Sequence, residues 1–139
     1  AGPGGVRTIS AGEFFGTLGI SLKKDEMVTE IHVPRLPDGA RQTFLKHRVR
    51  SAVDFPIVSV ASVITEKGGK CKDARIVLGA VAPVPVRATK AEETLRGRPL
   101  NDKVAEEAGR QAVADAITLN MNSYKVEIAK VLVKQAIIS

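Results

Sequence analysis

Apolar and polar positions alternate with a period of two in the middle of the chain and switch to helical spacing in its last third. From Lys72 to Val81, Ala74, Ile76, Leu78 and Ala80 oppose Asp73, Arg75, Val77 and Gly79, the pattern of a strand with one buried face. Arg41 to Arg50 and Ile57 to Glu66 read as two further strands, and Lys67-Gly68-Gly69-Lys70 predicts an antiparallel hairpin between the second and the third. Upstream, Val28 to Val33 reads as a strand in which Thr29, Ile31 and Val33 alternate with Val28, Glu30 and His32. Pro34 stops it. The stretch Pro34-Arg35-Leu36-Pro37-Asp38-Gly39 is dense in turn formers, and its prolines withhold backbone donors, so a boundary is expected there, dividing residues 1–38 from 39–139.

Beyond Pro83 and Pro85 three helices are predicted. Thr89-Lys90-Ala91-Glu92 has capping-box spacing and opens a short helix to about Arg96, ended by Gly97 and Pro99. Asn101 or Asp102 caps a second helix, with Ala105, Ala108, Ala112, Val113 and Ala116 as its apolar stripe and an end near Thr118. Ser123 is expected to cap a third, with Ile128, Val131, Leu132 and Ala136 facing inward and an end near Ile138. Strands followed by helices give an α+β fold, a three-stranded antiparallel sheet packed against a three-helix layer.

Composition narrows the function classes. With 139 residues, 44% hydrophobic and 26% charged, the chain suits one ordinary globular domain plus an attached segment. No apolar run approaches the roughly 20 residues of a membrane span, and the opening Ala1-Gly2-Pro3-Gly4-Gly5 lacks a signal layout. One cysteine, Cys71, forms no internal disulfide and no zinc or iron–sulfur ligand set, so a reducing cytoplasm is the expected location. His32 and His47 have no second ligand at metal spacing. The formal charge of +6 is spread among acids, with one concentration at Lys46, His47, Arg48 and Arg50, and few aromatic rings accompany it. A solvated basic surface fits this better than a nucleic-acid interface.

Three pieces, in order, resemble one family. The first is Arg7-Thr8-Ile9-Ser10-Ala11-Gly12-Glu13-Phe14-Phe15 followed by Asp25 to Pro34. The second is Phe44-Leu45-Lys46-His47-Arg48-Val49-Arg50 through Asp54-Phe55, and the third is Ala74 to Pro83 with Pro85-Val86-Arg87-Ala88, Ala91-Glu92 and Leu95-Arg96-Gly97. Together they resemble the C-terminal part of the FAD-binding subunit of molybdenum hydroxylases, the carbon monoxide dehydrogenase and xanthine dehydrogenase group. The resemblance runs from about Arg7 to Ala136. It implies that the α+β domain is preceded by an extended segment from a flavin-binding domain. It further implies that the glycine-rich loops holding the FAD pyrophosphate belong to a missing N-terminal region, since Gly2-Pro3-Gly4-Gly5 has neither the spacing nor a preceding strand for that task.

Read from the residues alone, Val28 is a strand core position and Lys46 a solvated strand end; the resemblance implies instead that Val28 lies against the flavin and Lys46 near the isoalloxazine edge. A cation there stabilises the negative charge that builds on a flavin during reduction. Arg50 and Asp54 are spaced to meet across a loop, as an ion pair fixing the segment beside the flavin or as an exposed pair of little energetic weight, and Pro56 holds Phe55 extended. The implied function is electron transfer between iron–sulfur clusters and an external acceptor, in a complex whose partner subunits carry molybdopterin and the iron–sulfur clusters. Two other classes stay open: a non-catalytic protein-docking module, indifferent to flavin, and a basic nucleic-acid-binding domain, recognisable by steep salt dependence.

Overall fold

The computed structural model describes residues 1–51 and 53–139, leaving Ala52 outside the described residues. It divides into two units, Ala1–Leu36 and Pro37–Ser139. In the first, a single turn of helix α1 (Ala11–Phe14) leads into a miniature antiparallel hairpin of β1 (Phe15–Gly16) and β2 (Gly19–Ile20). Glu26 ties this unit together. Its carboxylate accepts from Arg7 Nε at 2.9 Å, Arg7 Nη2 at 2.7 Å and the Lys23 amide at 2.9 Å, while Arg7 Nη2 also donates to the Ser21 carbonyl at 2.8 Å. The Arg7 guanidinium, foremost, holds the Glu26 carboxyl down at about 2. The strand expected over Val28–Val33 is not formed. Among the described residues no strand lies alongside to take its backbone groups, and no backbone hydrogen bond involves Val28 to Leu36.

The second unit carries a four-stranded antiparallel meander of β3 (Ala40–His47), β4 (Val58–Lys67), β5 (Lys70–Gly79) and β6 (Val86–Arg87), in that order. The fourth strand corrects the expected count of three: two residues squeezed between Pro85 and a helix are too few to show an alternating pattern. The β4–β5 hairpin turns on Gly68 and Gly69, whose φ values of 60° and 72° suit a two-residue turn that side chains resist.

Three helices follow, α2 (Thr89–Leu95), α3 (Asp102–Ala112) and α4 (Tyr124–Ile138). Both α2 and α4 lie on the sheet, and α3 packs on the two of them. The core joins Val60, Ile64, Ala74, Ile76 and Leu78 from the sheet to Leu95, Ala105, Ala108, Leu132, Val133 and Ile137 from the helices. Gly109 lets α3 and α4 touch, since a Cβ there would come within 2.7 Å of the Lys130 carbonyl oxygen. Polar groups of the sheet hold the end of α4: Arg41 Nη2 donates to the Ile137 carbonyl at 2.6 Å and the buried Ser62 Oγ to the Ala136 carbonyl at 3.2 Å, both satisfying its free C-terminal carbonyls.

Several local expectations are corrected. Thr89 and Glu92 form no capping box, because Ala88 occupies the N-cap position and the Glu92 carboxylate turns inward to the sheet. Asn101 does cap α3, accepting from the Val104 amide at 3.0 Å. That helix stops at Ala112 rather than near Thr118: the chain tightens at Val113, whose amide bonds back to Arg110 and Gln111, and Ala116 is exposed. Ser123 precedes α4 without a side-chain cap bond, and Val131 is exposed on the outer side of that helix instead of facing inward.

Candidate functional site

Strand register distributes the sheet's side chains between a covered face and an open one. Leu45, Val60 and Leu78 align across β3, β4 and β5 beneath the helices. Their sequence neighbours fall on the other side. There Phe44, Ala61 and Val77 form one row and Lys46, Ser59 and Gly79 the next, at the end of the sheet from which the β3–β4 loop departs. The second row has almost no relief, because Gly79 lacks a side chain and the Ser59 hydroxyl leans over the place where a Cβ would stand. Lys46 is the one long side chain of that row.

The loop itself is tightly braced. It is closed at its base by the Ile57 amide donating to the His47 carbonyl at 2.8 Å. Within it the Asp54 carboxylate accepts from the Arg50 amide at 3.1 Å, Arg50 Nε at 3.3 Å, Arg50 Nη2 at 3.0 Å and the Phe55 amide at 2.9 Å. Four donors on one carboxylate favour its charged form. Its pKa is accordingly lowered, with the Arg50 side chain the largest cause, the backbone amides next and the Lys46 charge a smaller one. Lys46 Nζ donates to the Asp54 carbonyl at 3.0 Å and has no carboxylate within ion-pair distance among the described residues. An ammonium carries three donors, so two remain for another acceptor. Around this brace Val49, Val53 and Phe55 are 81%, 95% and 90% exposed.

The structure thus brings together three of the four sequence-selected residues, Lys46 at the end of β3 and Arg50 and Asp54 in the loop that follows it. Val28 belongs to the other unit and is partly exposed. His32 contacts Glu30 at 2.7 Å, and no cluster of metal-ligating side chains occurs among the described residues. Cys71 is buried, and burial raises its thiol pKa, which suits an inert role. No helix among the described residues is long and apolar enough to cross a membrane.

Two features escaped sequence reasoning. The Ser59–Gly79 contact had one available signal, a glycine at the end of an otherwise regular strand pattern. The buried Glu92, bound to Arg87 Nε at 2.9 Å and Nη2 at 3.0 Å, also had one: it interrupts the apolar spacing of Ala88, Ala91 and Leu95.

Comparison with known proteins bears on this geometry. The family model for the CO dehydrogenase flavoprotein C-terminal domain matches residues 43–139, from within β3 through the end of α4. The chain is 33% identical over 142 residues to the glyceraldehyde dehydrogenase medium chain of Sulfolobus acidocaldarius, covering 95% of this chain and 48% of that one. It is 30% identical to the carbon monoxide dehydrogenase medium chain of Afipia carboxidovorans, covering 98% and 49%. The solved structure of carbon monoxide dehydrogenase from Hydrogenophaga pseudoflava superposes with a TM-score of 0.87 at 30% identity, over 96% of this chain and 48% of that one. The chain spans about half the length of the curated relatives it matches.

Proposed function

The chain belongs to the CO dehydrogenase flavoprotein C-terminal domain family, and from that premise we propose that it helps cover the flavin in an FAD-binding oxidoreductase subunit that passes electrons between iron–sulfur clusters and an external acceptor. On this reading residues 1–38 are the tail of the FAD-binding domain and residues 39–139 the C-terminal domain. Molybdopterin and the iron–sulfur clusters reside in partner subunits, and the complex is cytoplasmic. The relatives support this reading, being medium chains of dehydrogenases.

The observation that carries the proposal is the state of Lys46: a cation on the open sheet face, anchored through one donor to the Asp54 carbonyl and, among the described residues, with no carboxylate within ion-pair distance. Such a group fits an electron-rich ring edge. FAD, when bound, supplies a ring that takes up and passes on electrons. Lys46 places a positive charge beside that ring, Arg50 and Asp54 hold the loop that positions Lys46, and Val28 contributes an apolar contact. Asp54 has its acceptor capacity taken up inside the loop, so its role and that of Arg50 are positional.

Lys46→Met in the full-length, FAD-loaded subunit tests the reading, because it keeps the apolar stem and removes the charge. A charge-assisted contact of about 1.5–3 kcal/mol corresponds to tens of millivolts in a two-electron couple, and the flavin midpoint potential should fall by that amount at matched flavin content. An unchanged potential returns Lys46 to a solvated strand end. The chain purified alone should be colourless, and a stoichiometric flavin spectrum from it would contradict the division of labour between the two halves.

A further inference from the structure

We infer that the cleft between the starts of α2 and α4 is a binding site for a small molecule with an apolar body and a single carboxylate. The inference goes beyond the flavin reading, since Lys46, Arg50 and Asp54 take no part in it.

The second unit leaves a hollow of about 360 Å³ where the first turns of α2 and α4 and the end of α3 meet the β5–β6 edge. That volume falls within the roughly 300–1,000 Å³ of small-molecule sites. Its origin is in the side chains. Ala88, Ala112, Ala116 and Ala129 stand on its walls and are too short to fill it, while Leu78 and Val126 add further apolar surface. Water held against such walls is displaced favourably by an apolar body.

Charge decides what that body carries. Four charged side chains line the cleft, Arg87, Lys90, Asp115 and Lys125, and three of them are matched. Arg87 grips the buried Glu92, and Lys90 Nζ reaches Asp115 Oδ1 at 2.6 Å. Lys125 is left over: among the described residues no carboxylate lies within ion-pair distance of it, and Glu127 in the same turn is held by Lys130 at 2.6 Å. Its Nζ donates to the Ala80 carbonyl at 3.0 Å, which ties it to the end of β5 and leaves two donors. One surplus positive charge beside apolar walls selects a ligand with one negative charge, and an ionised carboxylate is the acceptor-only group that takes such donors. A phosphate ester would bring about two charges to a single cation.

The backbone at the mouth is held in an unusual shape. Ala80 and Met121, at φ 62° and 65°, are the non-glycine residues in the left-handed region among the described residues. Each directly precedes a residue of the wall, Val81 and Asn122. Side chains resist that region, and such strain collects at ligand sites.

Methyl NMR of the full-length, flavin-loaded subunit titrated with octanoate tests the assignment, with 1-octanol as the uncharged probe and acetate as the short one. Octanoate should shift the Leu78 and Val126 methyl signals saturably, octanol should bind at least about tenfold more weakly, and acetate should leave them unmoved. Octanol binding as tightly as octanoate would overturn the carboxylate, and acetate matching octanoate would overturn the apolar body. Lys125→Met keeps the stem and should weaken octanoate about tenfold while leaving octanol unchanged. Ala116→Phe, at an exposed position of the wall, should block both while the β4 and β5 amide signals stay in place. Methyl signals that never respond or never saturate, or octanoate binding that survives Ala116→Phe, would overturn the site. Such a result leaves the flavin reading intact, because Lys46, Arg50 and Asp54 lie outside the cleft.

Discussion

The Arg87 guanidinium grips the Glu92 carboxylate through Nε at 2.9 Å and Nη2 at 3.0 Å, and the same carboxylate, 2% exposed, accepts from the Ile76 amide at 2.9 Å. One side chain thereby joins β5, β6 and α2. Removing either partner is expected to have unequal effects. Glu92→Gln keeps an acceptor for Ile76 and loses the charge-assisted part, about 1–2 kcal/mol. Arg87→Ala leaves a buried carboxylate with a single amide and should cost more, about 3 kcal/mol. Urea unfolding midpoints of both variants check the order, and a larger loss for Glu92→Gln would contradict it.

Two glycines make a contrasting pair. At Gly109 an added Cβ would strike the Lys130 carbonyl, a backbone atom, whereas at Gly79 it would meet only the Ser59 hydroxyl, which can rotate. Gly109→Ala gains about 1 kcal/mol of helix propensity but forces α3 and α4 apart, a strain of about 1–3 kcal/mol, and should lower Tm. Gly79→Ala should leave Tm nearly unchanged. Thermal unfolding followed by circular dichroism distinguishes them.

What was legible in the sequence is what local chemistry decides. Gly68-Gly69 announces a hairpin because both residues must take positive φ, and Asn101 announces a helix start because its side chain bonds an amide three residues on. The Arg50–Asp54 brace was visible for the same reason, four residues apart with Pro56 stiffening the return. Features set by a distant partner were not. Glu92 has the spacing of a cap yet finds Ile76 sixteen residues upstream, β6 is a strand only because β5 is there, and Val28–Val33 has the pattern of a strand without a neighbour. The anchoring of Lys46 depends on the direction of one loop carbonyl, which no side-chain pattern encodes.

In the first unit the Arg7–Glu26 brace sets a pH dependence. Glu26 is depressed to about 2 in the folded chain from an ordinary 4.5, so its contribution is full above pH 4.5 and is lost as pH falls toward 2. Carboxyl-carbon NMR of Glu26 should show that low midpoint, and Arg7→Met should return it toward 4.5. A wild-type midpoint near 4.5 would mean that the brace does not persist in solution.

Asp54 offers the corresponding test at the candidate site. Its carboxylate is the acceptor for two loop amides and the Arg50 guanidinium, and its depressed pKa means that these bonds stabilise the charged form. Above the ordinary value of 3.8 the loop has that contribution in full; it is lost as pH falls through the lower folded value. Asp54→Asn removes the charge at nearly constant shape, so Arg50 loses its two-oxygen grip and the Arg50 and Phe55 amides should exchange faster at neutral pH. In wild type the same loosening should set in only below pH 3.8, and the Asn variant should show no step there. Because Lys46 is anchored to the carbonyl of this same residue, the variant should also broaden the Lys46 side-chain signals while leaving those of the β4–β5 core sharp. Identical loop exchange in the two proteins at neutral pH would show that the carboxylate does not hold Lys46 in place.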